Sequence, residues 1–206
     1  MLEAHDLACQ RGSRRLFDGL QLAVAPGQLL RVEGTNGAGK TSLLRLLAGL
    51  GLPSAGQVVW QGRPIASQRE AYAGALAYLG HLAGLKDELT AAENLRTDAG
   101  LGALPGTGAA AIQAALADWG LARQARLPLR VLSAGQRRRV ALARLALSRA
   151  ALWILDEPFT ALDTQAIDQL GRLLDSHLAR GGLAVLTSHQ PVPLAGGVQH
   201  TLRLGR

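Results

Sequence analysis

A glycine-rich loop with one lysine is the most specific chemical pattern in this sequence. Residues 34–41 read GTNGAGKT, which fits the phosphate-loop pattern GxxxxGK[ST]. Glycines let the backbone curl until successive N–H groups face phosphate oxygens, and the start of a helix adds partial positive charge. We therefore expect Lys40 to reach the β- and γ-phosphates of a nucleotide and the Thr41 hydroxyl to ligate Mg²⁺. The predicted nucleotide contacts of this segment are Gly34, Thr35, Asn36, Gly37, Ala38, Gly39, Lys40, Thr41 and Ser42.

Two acidic residues follow an apolar run that has the length of a buried strand. Residues 151–155 read ALWIL, and Asp156, Glu157 and Pro158 come directly after them. Ligands of parallel sheets bind at the carboxyl ends of the strands, so Asp156 is placed to serve Mg²⁺. Glu157 points to the other side of the strand end and could take a proton from an attacking water. The alternative, in which both acids only cap the next loop, leaves the phosphate loop without its usual metal partner.

A short polar segment lies between these two patterns. Residues 132–136 read LSAGQ and precede a helical pattern. Ser133 is placed as the N-cap of that helix, and Gly135 leaves the backbone N–H groups of the first turn uncovered. Helix capping alone would explain Ser133. Only the position of the segment favours a functional role, because it lies between the phosphate loop and the apolar run before Asp156 and Glu157, called the acidic strand here.

The elements that must position these residues alternate between strands and helices. Such alternation predicts an α/β fold with a largely parallel sheet. A mostly helical stretch, residues 90–119, interrupts it as an insert and includes a flexible Gly/Ala/Pro segment at residues 100–108. The predicted strands are 20–24, 29–32, 57–60, 151–155 and 183–186. The predicted helices include 43–50, with Gly49, Gly51 and Pro53 as its stop signals, and 167–178.

Composition narrows the class of protein. The chain has 206 residues, a single cysteine (Cys9) and a formal net charge of +7. One cysteine excludes a disulfide scaffold, and no apolar run approaches the roughly 18 residues of a membrane-spanning helix. A membrane role is therefore expected to come through a partner. The positive charge permits nucleic-acid binding, yet the three arginines at 137–139 would fan out around a helix instead of forming one patch.

Five ordered motifs together resemble the ATP-binding cassette family, the nucleotide-binding subunits of ABC transporters, over nearly the whole chain. Besides the phosphate loop and the acidic strand, LSAGQ is similar to the LSGGQ signature of that family. Residues 161–163, ALD, resemble its D-loop, and residues 187–189, TSH, resemble its histidine switch. The resemblance implies a P-loop NTPase fold in a single domain, residues 1–206. That domain has a largely parallel core sheet, an N-terminal antiparallel β subdomain and a helical subdomain insert at about residues 82–145.

The same resemblance implies how the site works. In the family two subunits pack head to tail, so a homodimer is expected in which the signature of one chain closes over ATP held by the other. Ser133, Gly135 and Gln136 would then bind ATP in trans, with Asp163 at the contact between subunits. Catalysis would rest on Glu157, Lys40 and His189, with His189 near the γ-phosphate and the attacking water. Alternatively, His189 is a strand-end histidine bonded to a backbone carbonyl.

Two positions depart from the family pattern. His81 stands where many members carry a glutamine that senses Mg²⁺ and touches the membrane partner, so it is a candidate for the metal site. Arg11 replaces the aromatic residue that stacks on adenine, and its planar guanidinium can stack in its place. The competing interpretations are a solvated loop histidine and an exposed arginine with no ligand. The sequence also resembles the ATPase subunits of bacterial cytochrome c maturation systems. This resemblance rests on the two departures, on LSAGQ and on residues 78–95.

That narrower resemblance implies an ATPase using ATP and Mg²⁺ as a peripheral subunit on the cytoplasmic face of the bacterial inner membrane. Its partners would be integral membrane subunits resembling CcmB and CcmC, in a complex associated with haem export and release of a haem-loaded chaperone. Direct haem binding is not expected, because the sequence has no C-x-x-C-H motif, and no nucleic acid is expected either. The alternative is a soluble ABC-type ATPase acting on DNA or ribosomes, which the net charge permits. Against that alternative, the sequence between the phosphate loop and LSAGQ contains no long heptad-repeat segment that could form a coiled-coil arm.

Overall fold

The computed structural model describes residues 1–81 and 84–205 in two compact units. The first, called the core unit here, comprises Met1–Gly80, Ala150–Pro158 and Leu174–Arg206, and the second, the helical unit, comprises His81–Arg149 and Phe159–Leu173. The predicted helical insert opens at about Leu82, which lies outside the described residues.

Nine strands and six α-helices are assigned in the described residues. In chain order they are β1 (Leu2–Arg11), β2 (Arg14–Val24), β3 (Gln28–Gly34), α1 (Lys40–Leu47), β4 (Ala55–Trp60), β5 (Arg63–Pro64), α2 (Arg69–Ala75), β6 (Leu76–Leu79), α3 (Ala91–Gly100), α4 (Ala109–Asp118), α5 (Ala134–Leu147), β7 (Leu152–Leu155), α6 (Thr164–Ala179), β8 (Leu183–Thr187) and β9 (Val198–Leu204).

A parallel sheet forms the centre of the core unit. Its strand order is β6-β7-β8-β3-β9, and every neighbouring pair is parallel. All residues of β7 and β8 are buried, which explains why both read as continuous apolar runs and not as alternating ones. The sheet therefore brings the ends of β3, β7 and β8, and the residues that follow them, to one edge.

A second sheet of the core unit is antiparallel, in the order β2-β1-β4-β5. Strands β1 and β2 form a hairpin whose last pair joins Arg11 to Arg14. Gly12, in the turn between them, has φ +60°, a left-handed conformation that favours glycine. The predicted α/β fold, with a parallel core sheet, a separate antiparallel sheet and added helices, is confirmed.

Helix α1 ends earlier than its leucine pattern predicts. The pattern carries the helix to Leu50, but α1 stops at Leu47, and Leu50 is 50% exposed. Gly49 takes φ +70°, and its N–H donates to the carbonyl of Leu46. A left-handed glycine of this kind closes a helix by satisfying its last carbonyls, so Gly49, one of the predicted stop signals, decides the end.

The arginines at 137–139 separate around α5, as the helical spacing predicts. Arg138 is buried, Arg137 forms an ion pair with Asp87 at 3.5 Å, and Arg139 pairs with Asp163. Arg137 and Arg139 therefore already face carboxylates of this chain, and the triplet is not one basic patch.

A buried histidine, His177, packs against β7 in the core unit. The ring of His177 in α6 stacks on Trp153 of β7, with centroids 3.8 Å apart and planes 8° apart. His177 Nε2 lies 3.1 Å from the carbonyl oxygen of Leu183. Burial lowers the pKa of His177 to about 4, against an opposing effect of the Leu183 hydrogen bond. The ring is therefore neutral in the folded protein at neutral pH.

This shift predicts a pH-dependent free energy of unfolding. The unfolded chain binds a proton at His177 near the ordinary pKa of 6.5, whereas the folded chain does so only near 4. Stability from this group is present above pH 6.5 and is lost as the pH falls toward 4. Between pH 7.5 and 5, His177 should account for about 2 kcal/mol, measured as the difference in denaturant unfolding between wild type and His177→Phe. His200→Phe, at an exposed position, is the control, and equal pH dependence in all three proteins would contradict the prediction.

Candidate nucleotide-binding site

The phosphate loop connects β3 to α1 at the edge where the parallel strands end. Gly34, the last residue of β3, has φ +150°, and a Cβ there would lie 2.7 Å from the carbonyl oxygen of Leu204. Gly39 has φ +99° and immediately precedes α1, and a Cβ there would lie 3.1 Å from Cβ of Leu16. Both positions therefore need glycine for backbone conformation and for space.

Lys40 is folded back over the loop that it follows. Its Nζ donates to the carbonyl oxygen of Gly34 at 2.8 Å and to that of Thr35 at 3.3 Å. The ammonium group is thus held against the concave side of the loop by two neutral acceptors. A phosphate oxygen is a stronger, charged acceptor for the same group.

Asp156, which directly follows β7, connects the phosphate-loop side of the site to β8 through hydrogen bonds. Its Oδ2 accepts a hydrogen bond from the Thr41 hydroxyl at 2.8 Å, and its Oδ1 accepts one from the Thr187 hydroxyl at 2.8 Å. Its backbone N–H donates to the carbonyl oxygen of Leu79 at 2.7 Å. The carboxylate therefore has a fixed orientation, with both oxygens toward hydroxyl groups.

Glu157 adopts a strained backbone beside Asp156. Its φ is +48°, a left-handed conformation that costs a non-glycine residue about 1–2 kcal/mol. The Glu157 N–H donates to the hydroxyl oxygen of Thr187 at 2.7 Å, so Thr187 contacts both acidic residues. Local strain of this kind persists where surrounding contacts over-determine it and is common at functional sites.

Thr187 is a site residue that sequence reasoning missed. In the sequence it stands only as the first residue of the TSH motif, which assigns it no role of its own. In the structure it is fully buried, and its hydroxyl donates to Asp156 while accepting from Glu157. The sequence signal that could have revealed Thr187 is a hydroxyl residue at the end of an otherwise apolar strand, β8. That strand lies next to β7, which leads to Asp156 and Glu157.

His189 lies in the loop after β8. Its Nε2 is 3.4 Å from Oε1 of Glu157, and its side chain is largely exposed. The neighbouring Ser188 closes a tight turn, in which its hydroxyl donates to the carbonyl oxygen of Gln190 at 2.7 Å. The core unit therefore brings the predicted residues Lys40, Thr41, Asp156, Glu157 and His189 to the carboxyl ends of the parallel strands.

An uncharged phenol borders this cluster. Burial raises the pKa of the Tyr78 hydroxyl, and the negative charge of Asp156 raises it further. Tyr78 packs against Gly80, where an added Cβ would lie 3.0 Å from the ring. Tyr78 therefore remains neutral at physiological pH and does not compete with Asp156 as an anion.

The β1–β2 hairpin places Arg14 beside the phosphate loop. Arg14 Nη1 would lie 3.9 Å from a Cβ on Gly37. Arg11 pairs with Arg14 across the turn, which directs both side chains to the same face of the hairpin. The family pattern points to Arg11 alone, because cross-strand pairing is not visible in a motif.

The signature residues lie in the helical unit. Ser133 is the N-cap of α5, as predicted, in a reciprocal capping box with Gln136. The Ser133 hydroxyl accepts from the Gln136 N–H at 3.2 Å, and the Gln136 side-chain oxygen accepts from the Ser133 N–H at 2.9 Å. A Cβ on Gly135 would lie 2.7 Å from the carbonyl oxygen of Ala161. The LSAGQ segment therefore packs against the backbone of the D-loop-like residues.

Asp163 has a structural role of its own in the helical unit. Its Oδ1 accepts a hydrogen bond from the N–H of Ala166 at 3.0 Å, in the first turn of α6, and it pairs with Arg139. The Ala166 hydrogen bond and the charge of Arg139 hold the pKa of Asp163 below its ordinary value. Its carboxylate is therefore ionised and already oriented.

His81 is exposed and opens the helical unit, directly before Leu82 and Ala83, which are outside the described residues. Within residues 1–81 and 84–205, no group of three or more His, Cys, Asp or Glu residues is arranged to hold a metal ion. The expected contribution of His81 to a Mg²⁺ site therefore stays a prediction.

The sequence matches one protein family and is similar to named members of it. Residues 17–160 match the family described as ABC transporter. The chain is 55% identical to the cytochrome c biogenesis ATP-binding export protein CcmA of Aromatoleum aromaticum, covering 95% of this chain and 91% of the relative. It is 50% identical to CcmA of Pseudomonas aeruginosa over the full length of both chains.

Solved structures show the same fold. An ATP-binding subunit of an ABC transporter superimposes with a TM-score of 0.81 at 28% identity, covering 91% of this chain and 79% of that one. The dimeric bacterial ABC transporter cassette MJ0796 superimposes with a TM-score of 0.85 at 20% identity, covering 100% and 97%. None of the helices in the described part of the chain is both long and apolar enough to cross a membrane. This chain belongs to the ABC transporter family, among the CcmA ATP-binding proteins of cytochrome c biogenesis.

Proposed function

We propose that this chain is the ATP-hydrolysing subunit of a membrane complex in cytochrome c biogenesis, which exports haem or releases a haem-loaded chaperone. The observation that carries the proposal is the convergence of Lys40, Thr41, Asp156 and Glu157 at one sheet edge, in a chain 50–55% identical to CcmA proteins. The competing function, a soluble ABC-type ATPase acting on DNA or ribosomes, has no support among these relatives.

The residues of the core unit fit Mg²⁺ together with ATP. Asp156 and Thr41 offer a carboxylate and a hydroxyl 2.8 Å apart, and hard divalent cations prefer such oxygen donors. These two residues would hold the ion, which supplies charge neutralisation on the β- and γ-phosphates. Lys40 and the N–H groups of residues 34–42 bind the phosphate oxygens. Fixed donors of this kind stabilise the charge that develops when the γ-phosphoryl group leaves.

Glu157 is the general base of the proposed reaction. Its carboxylate accepts a proton from the attacking water, while the hydrogen bond from its N–H to Thr187 keeps its backbone in place. His189, 3.4 Å from Glu157, contacts the γ-phosphate and orients the same water. Lys40, Glu157 and His189 thus have separate tasks: phosphate binding, proton transfer and orientation.

The complete site requires a second copy of the chain. In this proposal Ser133, Gly135 and Gln136 present the N-terminus of α5 to the γ-phosphate of the partner, with Asp163 at the subunit contact. The capping box supports it, because it fixes the first turn of α5, whose N–H groups attract anions. The dimeric form of the cassette MJ0796, which shares the fold, supports it as well.

The membrane partners and the site of action are part of this proposal, which the similarity to CcmA proteins supports. We place the chain as a peripheral subunit on the cytoplasmic face of the inner membrane, with integral partners resembling CcmB and CcmC. His81 would couple the nucleotide state to those partners, and Arg11 would stack on adenine. Haem recognition belongs to the partners in this scheme, since the chain has no C-x-x-C-H motif.

Purification from membranes tests this function. The full-length chain, tagged and expressed in its own bacterium, is extracted with detergent, and the co-purifying polypeptides and nucleic acids are identified. We expect integral membrane proteins resembling CcmB and CcmC, and loss of mature c-type cytochromes when the chain is deleted. An untagged strain controls for non-specific recovery. Recovery of ribosomes or DNA, with normal cytochromes after deletion, would instead establish the soluble alternative.

A further inference from the structure

Arg31 occupies an unusual position for a charged residue. It lies in β3, an interior strand of the parallel sheet that pairs with β8 on one side and β9 on the other. Its side chain is only 16% exposed. Its Nε is buried and finds no hydrogen-bond partner among the described residues. Burying a cation and leaving one of its donors unpaired are both unfavourable, so the contacts of its other nitrogens must offset that cost.

Those contacts lead to the loop that carries His189. Arg31 Nη1 donates to the carbonyl oxygen of Gln190 at 3.2 Å, and Nη2 pairs with Glu33. The same Gln190 carbonyl accepts from the Ser188 hydroxyl at 2.7 Å. Glu33 is held on its other oxygen by Arg203, at 3.2 Å. The planar fork of Arg31 therefore joins a fixed carboxylate to the backbone next to His189.

The loop needs such an anchor because it has little regular structure. Strand β8 ends at Thr187, and the chain has no helix or strand until β9 begins at Val198. The hydrogen bonds between Ser188 and Gln190 are local and would survive if the turn swung as a body. The bond from Arg31 ties that turn to β3, so it restricts where the His189 ring can lie.

We propose that Arg31 is a positioning residue for ATP hydrolysis, which holds residues 188–190 so that His189 stays beside Glu157. This inference rests on the proposed role of His189. Without the Arg31 bond, the 3.4 Å approach of His189 Nε2 to Glu157 Oε1 becomes one of several loop positions. A smaller productive fraction lowers kcat and leaves the phosphate-binding contacts unchanged.

The test compares two charge-removing variants. Arg31→Gln should lower kcat about tenfold, the typical effect of losing one charge-assisted hydrogen bond, with KM for ATP within about twofold of wild type. Arg180→Gln is the control, because Arg180 is an exposed arginine whose guanidinium donates to the Ser176 hydroxyl and not to Glu33 or to residues 188–190. It should retain wild-type kcat. Activity is measured on the full-length chain in the membrane complex that co-purifies with it.

A double-mutant cycle identifies the route of the effect. His189→Ala should lower kcat, and adding Arg31→Gln to it should lower kcat no further, because Arg31 acts through His189. A wild-type kcat in His189→Ala would overturn the proposed role of His189 itself. With His189→Ala impaired, the inference on Arg31 fails if the kcat of Arg31→Gln equals that of Arg180→Gln. It also fails if Arg31→Gln lowers kcat by the same factor in both backgrounds.

A conservative variant covers the case in which Arg31→Gln unfolds the protein. Arg31→Lys keeps the charge beside Glu33 but lacks the planar fork that bonds Glu33 and Gln190 together. We expect a thermal midpoint near that of wild type and kcat lowered about threefold or more, with unchanged KM. A wild-type kcat in Arg31→Lys would show that charge alone is needed and would overturn the positioning role.

Discussion

Replacing Glu157 by glutamine should abolish most ATP turnover while leaving nucleotide binding intact. The amide keeps the shape of the side chain but cannot accept a proton from water, and loss of a general base lowers rates about 10²- to 10⁴-fold. Binding should persist because Lys40, Thr41 and Asp156, which we propose as the phosphate and metal contacts, are untouched. The measurements are phosphate release and retention of labelled nucleotide on a filter.

The matched control for this experiment is Glu70→Gln. Glu70 is an exposed acid in α2 and makes no contact with Asp156 or Glu157 in the part of the chain that the structure describes, so its loss should leave turnover unchanged. Near-normal turnover in Glu157→Gln would remove Glu157 from the role of base. Loss of nucleotide binding in the same variant would instead assign it a role in holding the ligand.

Mixed dimers should show that each ATP site is shared between two chains. If Lys40 of one chain works with Ser133 of the other, symmetry makes two such composite sites. Placing Lys40→Ala on one chain and Ser133→Arg on the other puts both lesions in one site and leaves the second intact. Placing both changes on one chain beside a wild-type chain damages each site once. We therefore expect about half the wild-type turnover in the first arrangement and little in the second.

The two arrangements control for each other, because they contain the same substitutions in the same number. Differently tagged chains are purified as heterodimers, combined with the membrane partners, and assayed for steady-state phosphate release. Higher activity when both lesions are on one chain would mean that each site is contained within one chain. That result would exclude the head-to-tail arrangement and the trans role of Ser133, Gly135 and Asp163.

The β1–β2 hairpin shows one limit of motif comparison. The family pattern favours Arg11 as the residue at adenine, which stays a prediction, and the structure adds Arg14, whose guanidinium lies beside Gly37. Its approach depends on the turn at Gly12 and on cross-strand pairing with Arg11. A motif records spacing along the chain, whereas the face of a hairpin is decided by register.

The amino-acid sequence alone determines those features that depend on interactions between residues close together along the chain. Gly34 and Gly39 permit backbone angles that other residues avoid, Ser133 and Gln136 cap the helix between them, and apolar runs mark buried strands. The phosphate loop, the acidic strand, the signature helix and the α/β class were all predictable for this reason. Local conformational preference acts over the span of one turn or one strand, so a motif carries it completely.

The contacts that only the folded chain decides join residues far apart in sequence. Thr187 reaches Asp156 and Glu157 because β8 lies beside β7, and Arg31 reaches Gln190 across 159 positions because β3 lies beside β8. The side-chain types at these positions are ordinary, and their partners follow from strand order and register. Many strand orders suit the same alternation of strands and helices, so such pairings become visible only when packing has selected one of them.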